Sequence, residues 1–80
     1  MKSAKRNLTK SISIVYLLTQ ENGEYSISCI EENKEEQRTS YYRAKGISSS
    51  PKIATRIFNK IVNGKVFGDT LLDVIYNLIE

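Results

Sequence analysis

Two runs of alternating apolar residues, joined at Asn22-Gly23, leave this chain little choice of topology. Ile12, Ile14, Tyr16 and Leu18 recur at every second position before the dipeptide, and Tyr25, Ile27 and Cys29 do so after it. That period of two is the mark of half-buried strands. Asn-Gly favours a two-residue type I′ turn, because both central residues must take positive φ. Such a turn sets Glu21 opposite Glu24, Leu18 opposite Ile27 and Tyr16 opposite Cys29, which places both apolar sets on one face. Val15, Leu17 and Ile30 then form a smaller apolar patch on the reverse.

Downstream, Thr39, Tyr41 and Tyr42 give Gln37 to Lys45 the composition of a third strand, after a charged loop from Glu32 to Glu36. A helix follows: Ser48, Ser49 and Ser50 offer N-cap oxygens, Pro51 suits the first helical position, and Asn63-Gly64 signals the stop. Ile53, Ala54, Ile57, Phe58 and Ile61 share one side of it, beside a row of Lys52, Arg56 and Lys60. The closing segment from Thr70 predicts a second helix, with Thr70 and Asp73 at capping-box spacing. Its apolar arc is wide, taking in Leu71, Leu72, Val74, Ile75, Leu78 and Ile79. The predicted fold is α+β: an antiparallel β-hairpin plus a third strand, followed by two α-helices packed on one face. Leu18, Ile27, Ile57 and Ile75 are expected to share one core. Residues 1–10, with Lys2, Lys5, Arg6 and Lys10, read as a basic flexible arm, and 11–80 as a single small domain.

Eighty residues bury only about 60% of their unfolded surface, which leaves little room for a deep cleft. There is no histidine, hence no imidazole base or metal ligand. Ser49 and Lys52 have the Ser-x-x-Lys spacing of serine acyl enzymes, but without that class's further motifs they read as a helix cap. Glu31, Glu32, Glu35 and Glu36 lack the loop pattern that organises a cation site, and the four glycines are scattered rather than gathered in a phosphate loop. Cys29 is the only cysteine and sits in a core-like position, so it reads as a small buried hydrophobe in a reducing compartment. No catalytic residue, metal ligand or cofactor is expected. The start of the chain lacks the apolar run of a signal peptide, and no segment approaches a membrane span. The expected setting is cytoplasmic, without a small-molecule substrate.

Tyr16-Leu17-Leu18, the hairpin return Tyr25-Ser26-Ile27, the Gly46-Ile47-Ser48 lead into a helix and the closing Leu72-Asp73-Val74-Ile75 together resemble a family of short, uncharacterised proteins of spore-forming Gram-positive bacteria that have a domain of unknown function. The resemblance spans nearly all of the folded part. It departs where a proline before the last helix and acidic residues near its end would be expected; here stand Gly68-Asp69 and Tyr76-Asn77. It implies a fold and transfers no site.

Charge supplies the functional clue. The net charge is only +3, yet the stretch between Gln37 and Gly68 holds Arg38, Arg43, Lys45, Lys52, Arg56, Lys60 and Lys65 and no acid. With Tyr41 and Tyr42 among them, these residues form a candidate basic face for phosphates, stacked bases or carboxylates. The wide arc of the last helix predicts a protein interface at Leu71, Val74, Leu78 and Ile79, in a homodimer or a hetero-complex. The first expectation is a non-enzymatic binding or regulatory protein acting through protein contacts, including an inhibitor of a nucleoprotein machine. The alternative is direct, low-specificity nucleic-acid binding through the basic surface of residues 38–65.

Overall fold

The computed structural model describes residues 2–79, and Ile79 through its backbone alone. Strands β1 (Lys2–Asn7), β2 (Ile12–Glu21), β3 (Glu24–Asn33) and β4 (Arg38–Ser48) are followed by α1 (Pro51–Asn63), a 3-10 turn (Gly68–Thr70) and α2 (Leu71–Ile79). The strands form one antiparallel sheet in chain order, so β1 and β4 are its edges. The β2–β3 hairpin has the register that Asn22-Gly23 dictates: Leu18 faces Ile27 and Tyr16 faces Cys29. Both turn residues have positive φ, 53° at Asn22 and 80° at Gly23.

The sheet has four strands where the sequence suggested three. Lys2–Asn7, assigned above to a flexible arm, pairs residue for residue with β2, from Lys2 opposite Leu18 to Asn7 opposite Ser13. Its turn is held by Thr9, whose Oγ1 accepts from the N–H groups of Ser11 and Ile12, and by the Leu8 N–H donating to the Ile12 carbonyl at 2.9 Å. Apart from Ala4, β1 is polar. Backbone pairing, rather than an apolar stripe, makes it a strand.

β4 also runs three residues past Lys45. Ile27 faces Ala44 but Tyr25 faces Ser48, so β4 bulges over this stretch. Gly46 takes φ 64° there, and its N–H donates to the buried Ser26 Oγ at 3.2 Å. A residue with a Cβ would be strained in that conformation.

Alternation divides the sheet into two faces. Ala4, Tyr16, Cys29 and Tyr42 stand in one row, and Leu18, Ile27 and Ala44 in the next. With Ile14, the buried members of these rows form one core together with Ala54, Ile57, Phe58 and Ile61 of α1 and Leu71 and Ile75 of α2. Leu18, Ile27, Ile57 and Ile75 do share it. The Tyr16 hydroxyl, otherwise stranded, donates to the Val66 carbonyl at 2.8 Å.

α1 begins as its serines and proline imply: Ser50 Oγ accepts from the Ile53 N–H at 3.3 Å, and Pro51 opens the helix. Its end is less conventional. Gly64 stays right-handed, and Lys65 takes the left-handed position at φ 50°, with Lys65 N–H bonded to the Val62 carbonyl and Val66 N–H to that of Ile61. This is a Schellman closure with a side chain where glycine is usual. Lys65→Gly is therefore expected to raise stability by roughly 1 kcal/mol, read as a higher urea midpoint. At α2 the capping box does not form. Thr70 Oγ1 donates back to the Phe67 carbonyl at 3.2 Å, because a 3-10 turn has taken the place of a free N-cap.

Candidate interaction surface

The acid-free tract is not a single face. On β4 the two tyrosines part: Tyr41 lies in the row with Val15 and Ile30, whereas Tyr42 lies in the row with Tyr16 and Cys29 and packs against the core. Arg43 shares the side of Tyr41, Arg38 the side of Tyr42, and Lys45 stands exposed in the bulged stretch. Lys52, Arg56 and Lys60 are exposed on α1, which buries Ala54, Ile57, Phe58 and Ile61. The core thus separates the α1 row from Arg43. Strand period and helix period have sent one basic tract to two sides of the molecule.

Two of the arginines are already paired. Arg38 Nη2 lies 3.0 Å from Glu36 Oε2, an exposed pair of small energetic worth. Arg43 Nη2 lies 3.1 Å from Glu21 Oε2. Since Glu21 is on β2, this contact spans β3, where Ser26 and Ser28 are only 2% and 4% exposed.

The side of the sheet away from the core has its own composition. Lys5, Val15, Ile30 and Tyr41 form one cross-strand row, and Ser3, Leu17, Ser28 and Arg43 the next. Val15, Leu17 and Ile30 are half-buried and lie outside the core, and Tyr41 is 60% exposed with its hydroxyl 3.3 Å from Ser28 Oγ. Around this apolar and hydroxyl centre stand charges of both signs: Lys5 and Arg43 against Glu21, Glu24 and Glu32. No known family, curated protein or solved structure matches the chain. Function is therefore read from this geometry alone.

The interface placed on the last helix needs correction. Leu71 is 1% exposed, and Val74 and Leu78 pack against the core, while the side chain of Ile79 lies outside the described residues. The inward arc runs through Leu71, Val74, Ile75 and Leu78, so among the described side chains of α2 the apolar ones left in water are Leu72 and Tyr76, one turn apart, at 49% and 63% exposure. Spacing from the buried Leu71 and Ile75 was the signal that could have found them. Phe67, 48% exposed, precedes them. It helps line a pocket of about 210 Å³ with Ile12, Glu31, Glu32, Asn33, Arg38 and Ser40 at one end of the sheet.

The acidic and thiol groups are arranged structurally. Alternation sends Glu31 and Glu32 to opposite faces, and no cluster of His, Cys, Asp or Glu fit for a metal ion forms among the described residues. Glu31 Oε1 instead accepts the Gly68 N–H at 2.6 Å. Burial, reinforced by Glu31, pushes the Cys29 thiol from 9.0 up to about 12. Burial, with Cys29 and Glu31 adding to it and Arg6 opposing, pushes the neighbouring Tyr16 hydroxyl from 10.0 to about 12. A thiol held protonated is a poor nucleophile. Both groups bind their protons more tightly folded than unfolded, so their stabilising contribution is whole below pH 9 and is lost as pH rises toward 12. Each pH unit of that difference is worth roughly 1.4 kcal/mol. Urea midpoints are expected to fall across this window, and less steeply in Cys29→Ala.

No helix among the described residues is long and apolar enough to cross a membrane.

Proposed function

We propose that the chain is a small, non-enzymatic, regulatory protein-binding domain of the cytoplasm, with both helices laid on one face of the sheet and the other face offered to a partner. The observation that carries this is the composition of that face: Val15, Leu17, Ile30 and Tyr41 at the centre and charges of both signs around them. An apolar, hydroxyl-bearing centre inside a charged rim is how protein interfaces are built. A face for nucleic acid would be dominated by positive charge; here Lys5 and Arg43 are offset by Glu21, Glu24 and Glu32. A protein that occupies a nucleoprotein machine and blocks it would be one form of such a regulator.

A second reading rests on α1. Lys52, Arg56 and Lys60 form an exposed row, and none has an acidic partner among the described residues. This row would support weak, salt-sensitive contact with phosphates.

Capture from the native lysate separates the two. Leu17→Glu with Ile30→Lys is expected to abolish retention of a protein partner while leaving a cooperative melt, since both side chains lie outside the core. Reversing Lys52, Arg56 and Lys60 to Glu is expected to leave retention unchanged. Retention that nuclease destroys and that only the α1 variant loses would replace the first reading with the second.

A further inference from the structure

We infer that the free edge of β4 accepts an extended, acidic segment of a partner protein as a fifth strand of the sheet. The inference rests on the protein-binding reading and names the partner's chemistry.

β4 is the last strand in the sheet order and pairs with β3 alone. None of the backbone hydrogen bonds made outside the ladders and helices reaches its outer side among the described residues. An edge of this kind is a template for another chain, and proteins guard such edges with charge, bulges or very short strands. β1, the other edge, is only six residues long. β4 is 11 residues long, and its bulge lies near one end, so Arg38 to Ala44 runs regularly.

The regular stretch has apolar surface on both sides. Tyr41 stands on the open face of the sheet. On the side of the core, Phe67 stands beside Arg38 and Ser40, at the pocket of about 210 Å³. Alternate side chains of an added strand would fall first on Tyr41 and then on Phe67, which is how strand addition gains specificity beyond its backbone hydrogen bonds.

Charge decides the occupant. Arg38, Arg43 and Lys45 lie on β4, and no acidic residue occurs in the chain from there to Phe67, although Glu31 and Glu32 of β3 also line the pocket beside Arg38. A second copy docking β4 against β4 would bring six cations together; Arg38 and Arg43 stay bonded to Glu36 and Glu21, and Lys45 has no acidic partner among the described residues, so the crowding of like charge still costs stability. An acidic strand would meet the exposed Lys45 in the bulged stretch, and would share Arg43 with Glu21 on the open face and Arg38 with Glu36 on the other. A nucleic acid satisfies the charges but cannot match the alternating donors and acceptors of a strand edge.

The test titrates a short peptide of alternating Glu and Val into the isotopically labelled full chain, followed by amide NMR. The expected result is shifts centred on residues 38–45, with slowed hydrogen exchange there. N-methylation of alternate peptide amides, or Arg38→Glu with Lys45→Glu in the protein, is expected to weaken binding about tenfold or more. A Lys–Val peptide is expected not to bind. The inference is overturned by shifts confined to α1 or to the open face, by equal binding of the N-methylated peptide, by no shift at millimolar peptide, or by sedimentation showing a dimer joined through β4. If any of these occurs while Leu17→Glu with Ile30→Lys still abolishes capture of a protein, the protein-binding reading stands and the β4 inference alone falls.

Discussion

Gly68→Ala is expected to destabilise the fold by about 3 kcal/mol, lowering the melting temperature by roughly 15 °C in a domain of this size. Gly68 is buried in the 3-10 turn that leads into α2, and a Cβ there would overlap Cγ, Cδ2 and Cε2 of the Tyr42 ring. Neither side can give easily. Tyr42 packs against the core on a strand fixed by pairing, and the Gly68 N–H is held by Glu31 Oε1. Moving the turn would break that charge-assisted bond, and moving the ring would open the core beneath it. The cost should therefore depend on Tyr42. In a double-mutant cycle, Gly68→Ala combined with Tyr42→Ala is expected to cost clearly less than the sum of the single changes. An unaltered melt for Gly68→Ala would show that turn and ring do not meet in solution.

How much of this was legible beforehand varies by element. The β2–β3 hairpin was legible to the residue, because turn chemistry and apolar alternation demand the same register and neither can shift without the other. α1 was legible for a similar reason: Ser50, Pro51 and the spacing of Ala54, Ile57, Phe58 and Ile61 agree on where it begins and which side it buries. β1 was not. Its side chains are mostly charged, and its strand conformation comes from a backbone ladder with β2 that no local pattern announces. The 3-10 turn was hidden in the same way, since what fixes Gly68 is the Tyr42 ring and Glu31, each more than twenty residues away in the chain.

The candidate surface followed the same divide. Val15, Leu17 and Ile30 were readable as a reverse face once the hairpin register was known. The basic tract was readable as charge but not as geometry: adjacent strand residues part to opposite faces, and Arg43 turns to Glu21 on a strand that precedes it by more than twenty residues. On α2 the width of the apolar arc was visible, but its orientation was not. An arc wider than one core needs leaves a choice, and packing made it in favour of Leu71, Val74 and Leu78, with Leu72 and Tyr76 left outside.

Ile57→Ala carries the other large expected effect, because it tests the shared core on which every placement above depends. Ile57 is 1% exposed and lies in the cluster that joins α1 to β2, β3, β4 and α2. Truncation removes buried methyl groups and leaves a cavity that a paired sheet can fill only partly, at about 2–5 kcal/mol. The total stability of a small domain is itself only about 5 kcal/mol, so Ile57→Ala is expected to be largely unfolded near body temperature and to lose most of its urea midpoint. Ile53, one turn earlier on the same helix, supplies the control. It is 41% exposed, and alanine favours the helix, so Ile53→Ala is expected to stay within about 0.5 kcal/mol of the parent. Chemistry and helix are the same in the two variants, and only the direction of the side chain differs. Equal urea midpoints for the two would mean that α1 does not bury the side assigned to it, and the separation of its basic row from Arg43 would fall with that assignment.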